Sequence, residues 1–254
     1  GSYPRKFERI IRKAVFKMLD VTAAKKATYA TVVFKDLYQH LTKDWKLDSA
    51  GVVTIPPAVN TNVFQPQKES VSNTKPKEGA LFVGHLVSRK GADLLPAISQ
   101  LAPELHITVA GDGPLYQAIV DDAIKLGVSN RFTFLGAISG PSVSHYMQSA
   151  KVLLVPSWSE GLPITVLEAL SSGTPVVATN VGGMKDIITN SKNGFLVEAG
   201  DVQAMANNAS KIALSDTIAY ATMSSTARES VLTGFTWEVI TDQFEQIYES
   251  AKGS

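Results

Sequence analysis

From residue 80 onward, short apolar runs recur along the chain: ALFVG (80–84), LHITVAG (105–111), FTFLG (132–136), KVLLVP (151–156), TPVVAT (174–179) and FLV (195–197). They are rich in β-branched residues and lack the polar alternation of a strand with one wet face. They therefore predict strands buried on both faces. Helix-like stretches separate them. This alternation predicts an α/β fold with a doubly wound, parallel, Rossmann-like sheet. Residues 201–250 read as helices only. Upstream, TVVF (31–34) predicts a short strand, residues 35–44 a short helix, and VVTI (52–55) a second strand stopped by Pro56 and Pro57. The polar segment QPQKESVSNTKPKEG (65–79), rich in Ser, Pro and Lys, reads as a linker. The pattern thus divides the chain into residues 1–64, a linker at 65–79, and a Rossmann-like domain at 80–254.

Near the start, Phe7, Ile10, Ile11, Ala14, Val15, Met18 and Leu19 follow helical spacing on one face of residues 4–19, with basic residues largely opposite. Two readings stay open. The helix lies on an anionic membrane surface or a phosphorylated acceptor, or it packs in the fold with its basic face in solvent. Net charge is +1 overall, but residues 1–26 carry +6 and the remainder −5. A nucleic-acid binder is more often basic throughout, so no nucleic acid is expected. Hydrophobic residues make up 44% and charged residues 19%, an ordinary globular balance.

The chain has no cysteine, which excludes disulfides and thiolate metal sites and fits a reducing, cytoplasmic compartment. No apolar run reaches the roughly 20 residues of a membrane span, and no signal-peptide core is present. His40, His85, His106 and His145 show no ligand spacing, so neither a metal nor a resident cofactor is expected.

In a doubly wound sheet, ligands bind beyond the carboxyl ends of the strands. Three loops there carry chemistry. GHLVSRKG (84–91) places Arg89 and Lys90 beside an expected helix start at Gly91, an arrangement suited to an anion. AGDGP (110–114) has Gly111 and Gly113, which let a backbone approach closely, and Pro114 at an expected first helical position. It does not complete the dinucleotide fingerprint, which counts against a nicotinamide oxidoreductase.

The third loop is SWSEGLPITVLEALSSGTPVVA (157–178). Pro163 suits the first helical turn and Gly173 the C-terminal cap. Ile164, Val166, Leu167 and Leu170 are expected to face the sheet. The amides of Ile164 and Thr165 are helix-end donors that can hold a phosphate. Glu160 and Glu168 are acceptor-only groups that match sugar hydroxyls on either side of a diphosphate.

Here the chain resembles the family 4 retaining glycosyltransferases, which have the GT-B fold of two Rossmann-like domains facing a cleft. The resemblance covers roughly residues 50–250. It rests on Glu160, seven residues, Glu168 and then G173-TPVVA, together with IPPAVNTNVFQP (55–66), the KG of 90–91, AGDGP, FTFLG, VGG (181–183), NGFLV (193–197) and FTW (235–237). It implies that Glu160 contacts hydroxyls of the transferred sugar and Glu168 the ribose. It further implies that the Ile164 and Thr165 amides hold the diphosphate and that Arg89 and Lys90 neutralise the leaving group. Gly84, Gly111, Gly113, Ile138 and Gly161 complete the implied donor site, with base contacts from backbone near Gly136–Ile138. Transfer would proceed by front-face attack without a metal.

Two positions depart from the family. His85 stands where it usually has Arg, so either Arg89 substitutes or the site carries less charge. Pro57-Ala58 stands where it has Asn-Gly. The resemblance also implies an acceptor-binding N-terminal domain of which residues 1–64 match only the end. The chain is therefore expected to bind a nucleotide-sugar donor but to transfer little sugar alone, with the acceptor unidentified. Two alternatives remain: a sugar-nucleotide epimerase of the same fold, or a non-catalytic binding module that self-associates through its cleft-facing surface.

Overall fold

The computed structural model describes residues 20–67 and 77–252. The expected amphipathic helix at 4–19 and the middle of the expected linker lie outside the described residues. The chain divides into two compact units. One takes in the described residues up to Pro56 and those from Thr241 on; the other runs from Pro57 to Ile240. The expected division fell at 64/65. Residues 57–64 instead belong with the larger unit, because Val59 bridges to Thr236 and both Val59 and Phe64 are buried in that unit's core.

In the smaller unit, β1 (Ala30–Val32) and β2 (Val52–Thr54) pair in parallel with Ala30 opposite Val52. Between them α1 (Lys35–Gln39) runs into a π-helical turn at His40–Asp44, where one helix was expected. Val32, Leu41, Leu47 and Val52 form a small core with Leu37 and Trp45 packed on it.

The larger unit holds six strands: β3 (Ala80–Val83), β4 (Ile107–Ala110), β5 (Phe132–Gly136), β6 (Val152–Val155), β7 (Val176–Thr179) and β8 (Gly194–Val197). They lie in the order β5-β4-β3-β6-β7-β8, every pair parallel. The helices are α2 (Leu95–Leu101), α3 (Tyr116–Lys125), α4 (Gly140–Ser149), α5 (Ile164–Ser171), α6 (Met184–Ile187), α7 (Val202–Ala213) and α8 (Thr217–Leu232). α9 (Trp237–Lys252) begins in this unit and ends in the smaller one. Among the described residues, no helix is long and apolar enough to cross a membrane.

The period of two along each strand splits the core. Ala80, Phe82, Val152, Leu154 and Val177 enter one cluster with Leu95, Ile98 and Met205. Leu81, Leu153, Val155, Val176 and Ala178 enter the other with Val166, Leu167 and Leu170 of α5. Strands wetted on neither side need apolar residues at every position, which explains the unbroken runs in the sequence. Gly173 follows α5 in the left-handed conformation at φ 66°, as its capping place requires.

Leu154, at 1% exposure in the middle of β6, measures this core. Leu154→Ala should lower the unfolding free energy by about 2–5 kcal/mol through lost transfer and the cavity left behind. Urea unfolding checks the value; a loss under about 1 kcal/mol would contradict the assigned packing.

Candidate functional site

β3 and β6 are neighbours in the sheet, and the chain crosses to opposite sides after them. Their loops therefore meet at the carboxyl edge, at the topological switch point. Gly91 sits there at φ 66°, and a Cβ on it would lie 2.0 Å from the carbonyl oxygen of Pro156, so only glycine lets the two loops approach. The amide of Trp158 donates to the Arg89 carbonyl (2.9 Å), and the Arg89 guanidinium donates to the Ser159 carbonyl (3.1 Å).

This junction brings three of the expected residues together. Lys90 Nζ lies 2.7 Å from Glu160 Oε1, and Arg89 lies 3.8 Å from Glu160 Oε2. The Glu160 side chain is 6% exposed, that of Lys90 23% and that of Arg89 59%. The buried carboxylate is held by one lysine, and the second cation, Arg89, stands 59% exposed beside it with one of its guanidinium nitrogens on the Ser159 carbonyl. Arg89 and Lys90 occupy a short 3-10 turn at Ser88–Lys90, and the α-helix expected near Gly91 starts only at Leu95. The cations therefore stand on a turn rather than at an α-helix N-terminus.

α5 begins one residue later than the sequence suggested. Pro163 is its N-cap, with extended ψ of 126°, and not a residue of its first turn. Proline offers no side-chain cap, and none is made. The first N–H groups, those of Ile164 and Thr165, are thus left for a ligand or water. Ile164 does not face the sheet as expected but is 49% exposed, while Val166, Leu167 and Leu170 carry the buried face.

Glu168 lies just over one turn into α5 and is half-buried. Among the described residues, no donor hydrogen-bonds its carboxylate, and burial raises its pKa above the ordinary carboxylate value. The two glutamates thus differ: Glu160 is neutralised by a partner, whereas Glu168 is partly desolvated and unpaired.

A hollow of about 330 Å³ is lined by Gly84, His85, Gly111, Asp112, Ala137 and Ile138, among others. It gathers three further expected residues, Gly84, Gly111 and Ile138. Gly113 does not line it. A Cβ on Gly113 would lie 2.6 Å from the Leu86 carbonyl oxygen, so the room that glycine leaves is filled by the β3 loop. Pro114 precedes α3 by two residues and Leu115 is the N-cap, so Pro114 is not its first helical residue. Gly161 is exposed and its carbonyl accepts from the Gly183 amide (2.8 Å). A larger hollow, about 560 Å³, lies in the smaller unit between Ala24 and Val52 and contains none of the expected site residues. Among the described residues, no cluster of three or more His, Asp or Glu is placed to hold a metal.

Sequence reasoning missed three features. His85 Nδ1 donates to the Asp112 carbonyl (2.6 Å), which fixes the ring on the rim of the smaller hollow. The carboxyl end of α5 is closed by two basic side chains, Arg228 and Lys77, the latter with its pKa lowered to about 7 by burial. Lys77 Nζ reaches the carbonyls of Ser172 (3.3 Å) and Gly173 (3.1 Å) and Oγ1 of Thr174 (2.8 Å). Arg228 donates to the carbonyls of Ser171 (2.7 Å), Phe64 (2.7 Å) and Thr61 (3.2 Å). Cations at this end complement the helix dipole. Finally, Ser157 Oγ donates to Glu160 Oε1 (2.7 Å).

A six-stranded parallel sheet whose rim offers donors for an anion and acceptors for hydroxyls is a Rossmann-like ligand-binding domain. This chain belongs to the glycosyl transferases group 1 family, whose model matches residues 63–230. It is 31% identical over 215 residues to the D-inositol 3-phosphate glycosyltransferase of Mycolicibacterium paratuberculosis, a match covering 80% of this chain and 48% of that protein. The chain spans about half the length of the curated relatives it matches. Its fold is also that of the C-terminal domain of a glycosyl transferase group 1 family protein, LpcC, from Francisella tularensis (TM-score 0.62, 22% identity, 70% of this chain and 99% of that one). Anabaena HepE in complex with UDP-glucose superposes with a TM-score of 0.79 at 21% identity, over 92% of this chain and 67% of that one. The doubly wound sheet expected from sequence, the C-terminal half of a GT-B fold, is the one observed.

Arg228 supplies a test of the α5 closure. Arg228→Met should cost about 3 kcal/mol, because the Phe64 and Ser171 carbonyls would stay buried without a charged donor. Denaturant unfolding measures it; a change within about 0.5 kcal/mol would show that water replaces the guanidinium freely.

Proposed function

We propose that the larger unit binds the nucleoside-diphosphate sugar donor of a glycosyltransferase, and that the activity it serves is sugar transfer with retention of anomeric configuration. The observation that carries this reading is the pairing of Lys90 with Glu160 at 2.7 Å, set beside an uncapped helix N-terminus. Cation, free amides and carboxylates are the partners that a diphosphate flanked by two polyhydroxylated rings requires. The UDP-glucose bound by HepE, which has the same fold, supports it.

In this reading the Ile164 and Thr165 amides hold the diphosphate. Glu168 accepts from the ribose hydroxyls and Glu160 from a hydroxyl of the sugar, beside Gly161. Gly84, Gly111 and Ile138 line the hollow for the rest of the nucleotide, with Gly113 supporting its wall. As the bond from the anomeric carbon to the phosphate oxygen breaks, its electron pair leaves with the nucleoside diphosphate. Arg89 and Lys90 stabilise that growing charge, the usual large contribution in such sites. The acceptor hydroxyl attacks the same face, its oxygen bonds to the anomeric carbon, and its proton passes to the departing phosphate oxygen. The residues up to Pro56 form the end of the acceptor-binding domain, and the stretch from Pro57 on belongs to the donor domain.

A thermal-shift screen against UDP-, GDP- and ADP-sugars tests the reading, since a ligand at about 100 times its Kd adds about 2.7 kcal/mol to stability. A rise with one class and not with free glucose is expected; no rise with any of them would refute donor binding.

Glu168 adds a pH dependence. Hydroxyl donors need its ionised form. Because burial raises its pKa in the free protein, nucleotide affinity should fall as pH drops through that raised value, above the range of an exposed carboxylate. The same shift acts oppositely on the free fold. The folded form holds the proton more tightly than the unfolded form, so this group's contribution to stability rises as pH falls through that window. Glu168→Gln should weaken nucleotide binding about 10- to 100-fold, the size of hydrogen bonds to a charged group, and flatten this pH dependence. Isothermal titration from pH 7 to 5 reads both effects, and a mutant that keeps the wild-type slope would remove Glu168 from the role.

A further inference from the structure

We propose that Ser157 is a positioning residue for recognition of the transferred sugar: it decides which oxygen of Glu160 is free to accept a sugar hydroxyl. The inference rests on the donor-site reading of Glu160. Ser157 is 1% exposed and so does not meet the ligand itself. Its hydroxyl donates to Glu160 Oε1 at 2.7 Å, the oxygen that Lys90 also holds at 2.7 Å. Among the described residues, Oε2 has only the Arg89 guanidinium at 3.8 Å, beyond hydrogen-bond length. One carboxylate oxygen is thus doubly occupied and the other is open.

The serine is itself held. Thr179, the last residue of β7, donates its hydroxyl to the Ser157 carbonyl (2.5 Å). The backbone after Glu160 is clamped from the other side. Gly182 lies at φ 58°, where a Cβ would come within 2.3 Å of the Glu160 carbonyl oxygen, and the Gly183 amide donates to the Gly161 carbonyl (2.8 Å). With the backbone held and the side chain 6% exposed, the freedom left to Glu160 lies in its side-chain torsions, and the Ser157 hydroxyl restrains the last of them, rotation of the carboxylate. The role grows when a diphosphate arrives. Lys90 is then drawn toward the phosphates, and Ser157 becomes the donor that keeps Oε1 occupied and Oε2 pointed at the ligand.

The test compares UDP, GDP and ADP with their glucose conjugates on the full chain, using the pair that binds most tightly. The readout is the ratio of conjugate to diphosphate affinity. Ser157→Ala should lower that ratio about tenfold, the weight of one charge-assisted hydrogen bond, and leave diphosphate affinity unchanged. In a Glu160→Gln background the same substitution should change the ratio no further, because the two residues act as one unit. A role in folding alone would weaken diphosphate and conjugate equally. That result, an unchanged ratio, or an additional tenfold loss in the Glu160→Gln background would each overturn the proposal. Binding of none of the three pairs would overturn the donor-site reading and this inference with it. Diphosphate and conjugate binding with an unmoved ratio would overturn this inference alone.

Discussion

The parallel pairing of β3 with β6, Ala80 opposite Val152 and Leu81 opposite Leu153, is the constraint on which the site depends. These strands are adjacent in space and some seventy residues apart in sequence. After them the chain turns to opposite faces of the sheet, so no helix fills the gap between their carboxyl ends. The two loops must therefore pack on each other. They do so through the Gly91–Pro156 contact and the hydrogen bond from Trp158 to Arg89. The ion pair of Lys90 with Glu160 follows from that contact. Neither residue could find the other if either strand moved one place in the order.

α5 converts this junction into a polar device. Its flank is anchored by Val166, Leu167 and Leu170 in the core. Its carboxyl end is closed by Lys77 and Arg228, and its amino end is capped by nothing but a proline. A helix whose carbonyl end is neutralised and whose amide end is open directs its unpaired donors to the carboxyl edge of the sheet. Arg228 also grips the carbonyls of Thr61 and Phe64, which ties the stretch after Pro57 to the same helix. The carboxyl end of α5 is thus a structural hub, and its amino end lies uncapped at the carboxyl edge of the sheet.

Much of this was legible in the sequence for a physical reason. Strands buried on both faces cannot hide polar residues, so the runs marked β3, β4, β6, β7 and β8 closely; the run FTFLG also became a strand, but as the sheet edge β5 is only half-buried, with Thr133 exposed. The Glu160 and Glu168 spacing marked the loop and helix around the rim. What escaped was the chemistry of backbone partners. Lys77 and Arg228 are bound by carbonyls, which every residue carries, so no pattern of side chains announces them. Gly113 misled for the same reason: a glycine that yields to a neighbouring loop reads the same as one that yields to a ligand. Pro163 misled by one position, since proline suits both the N-cap and the first turn. Residues 57–64 were assigned to the wrong side of a boundary because the polar composition of 65–79 outweighed two apolar anchors, Val59 and Phe64.

The two glutamates show how one helix and its preceding loop obtain two different carboxylates from the same side chain. The Glu160 side chain is 6% exposed, and Lys90 and a serine hydroxyl both meet its carboxylate, which holds it fixed. Glu168 is less buried but has no donor among the described residues, and desolvation raises its pKa. A fixed, charged acceptor suits recognition of one hydroxyl in one orientation. An unpaired, desolvated acceptor gains most from a ligand that brings its own donors, because binding removes the cost that the free protein carries. Had Glu168 a lysine partner as well, the free site would be more stable and the ligand would have to displace that partner. Under the proposed donor-site reading, the asymmetry assigns the larger gain from hydroxyl binding to Glu168 and the stricter geometry to Glu160.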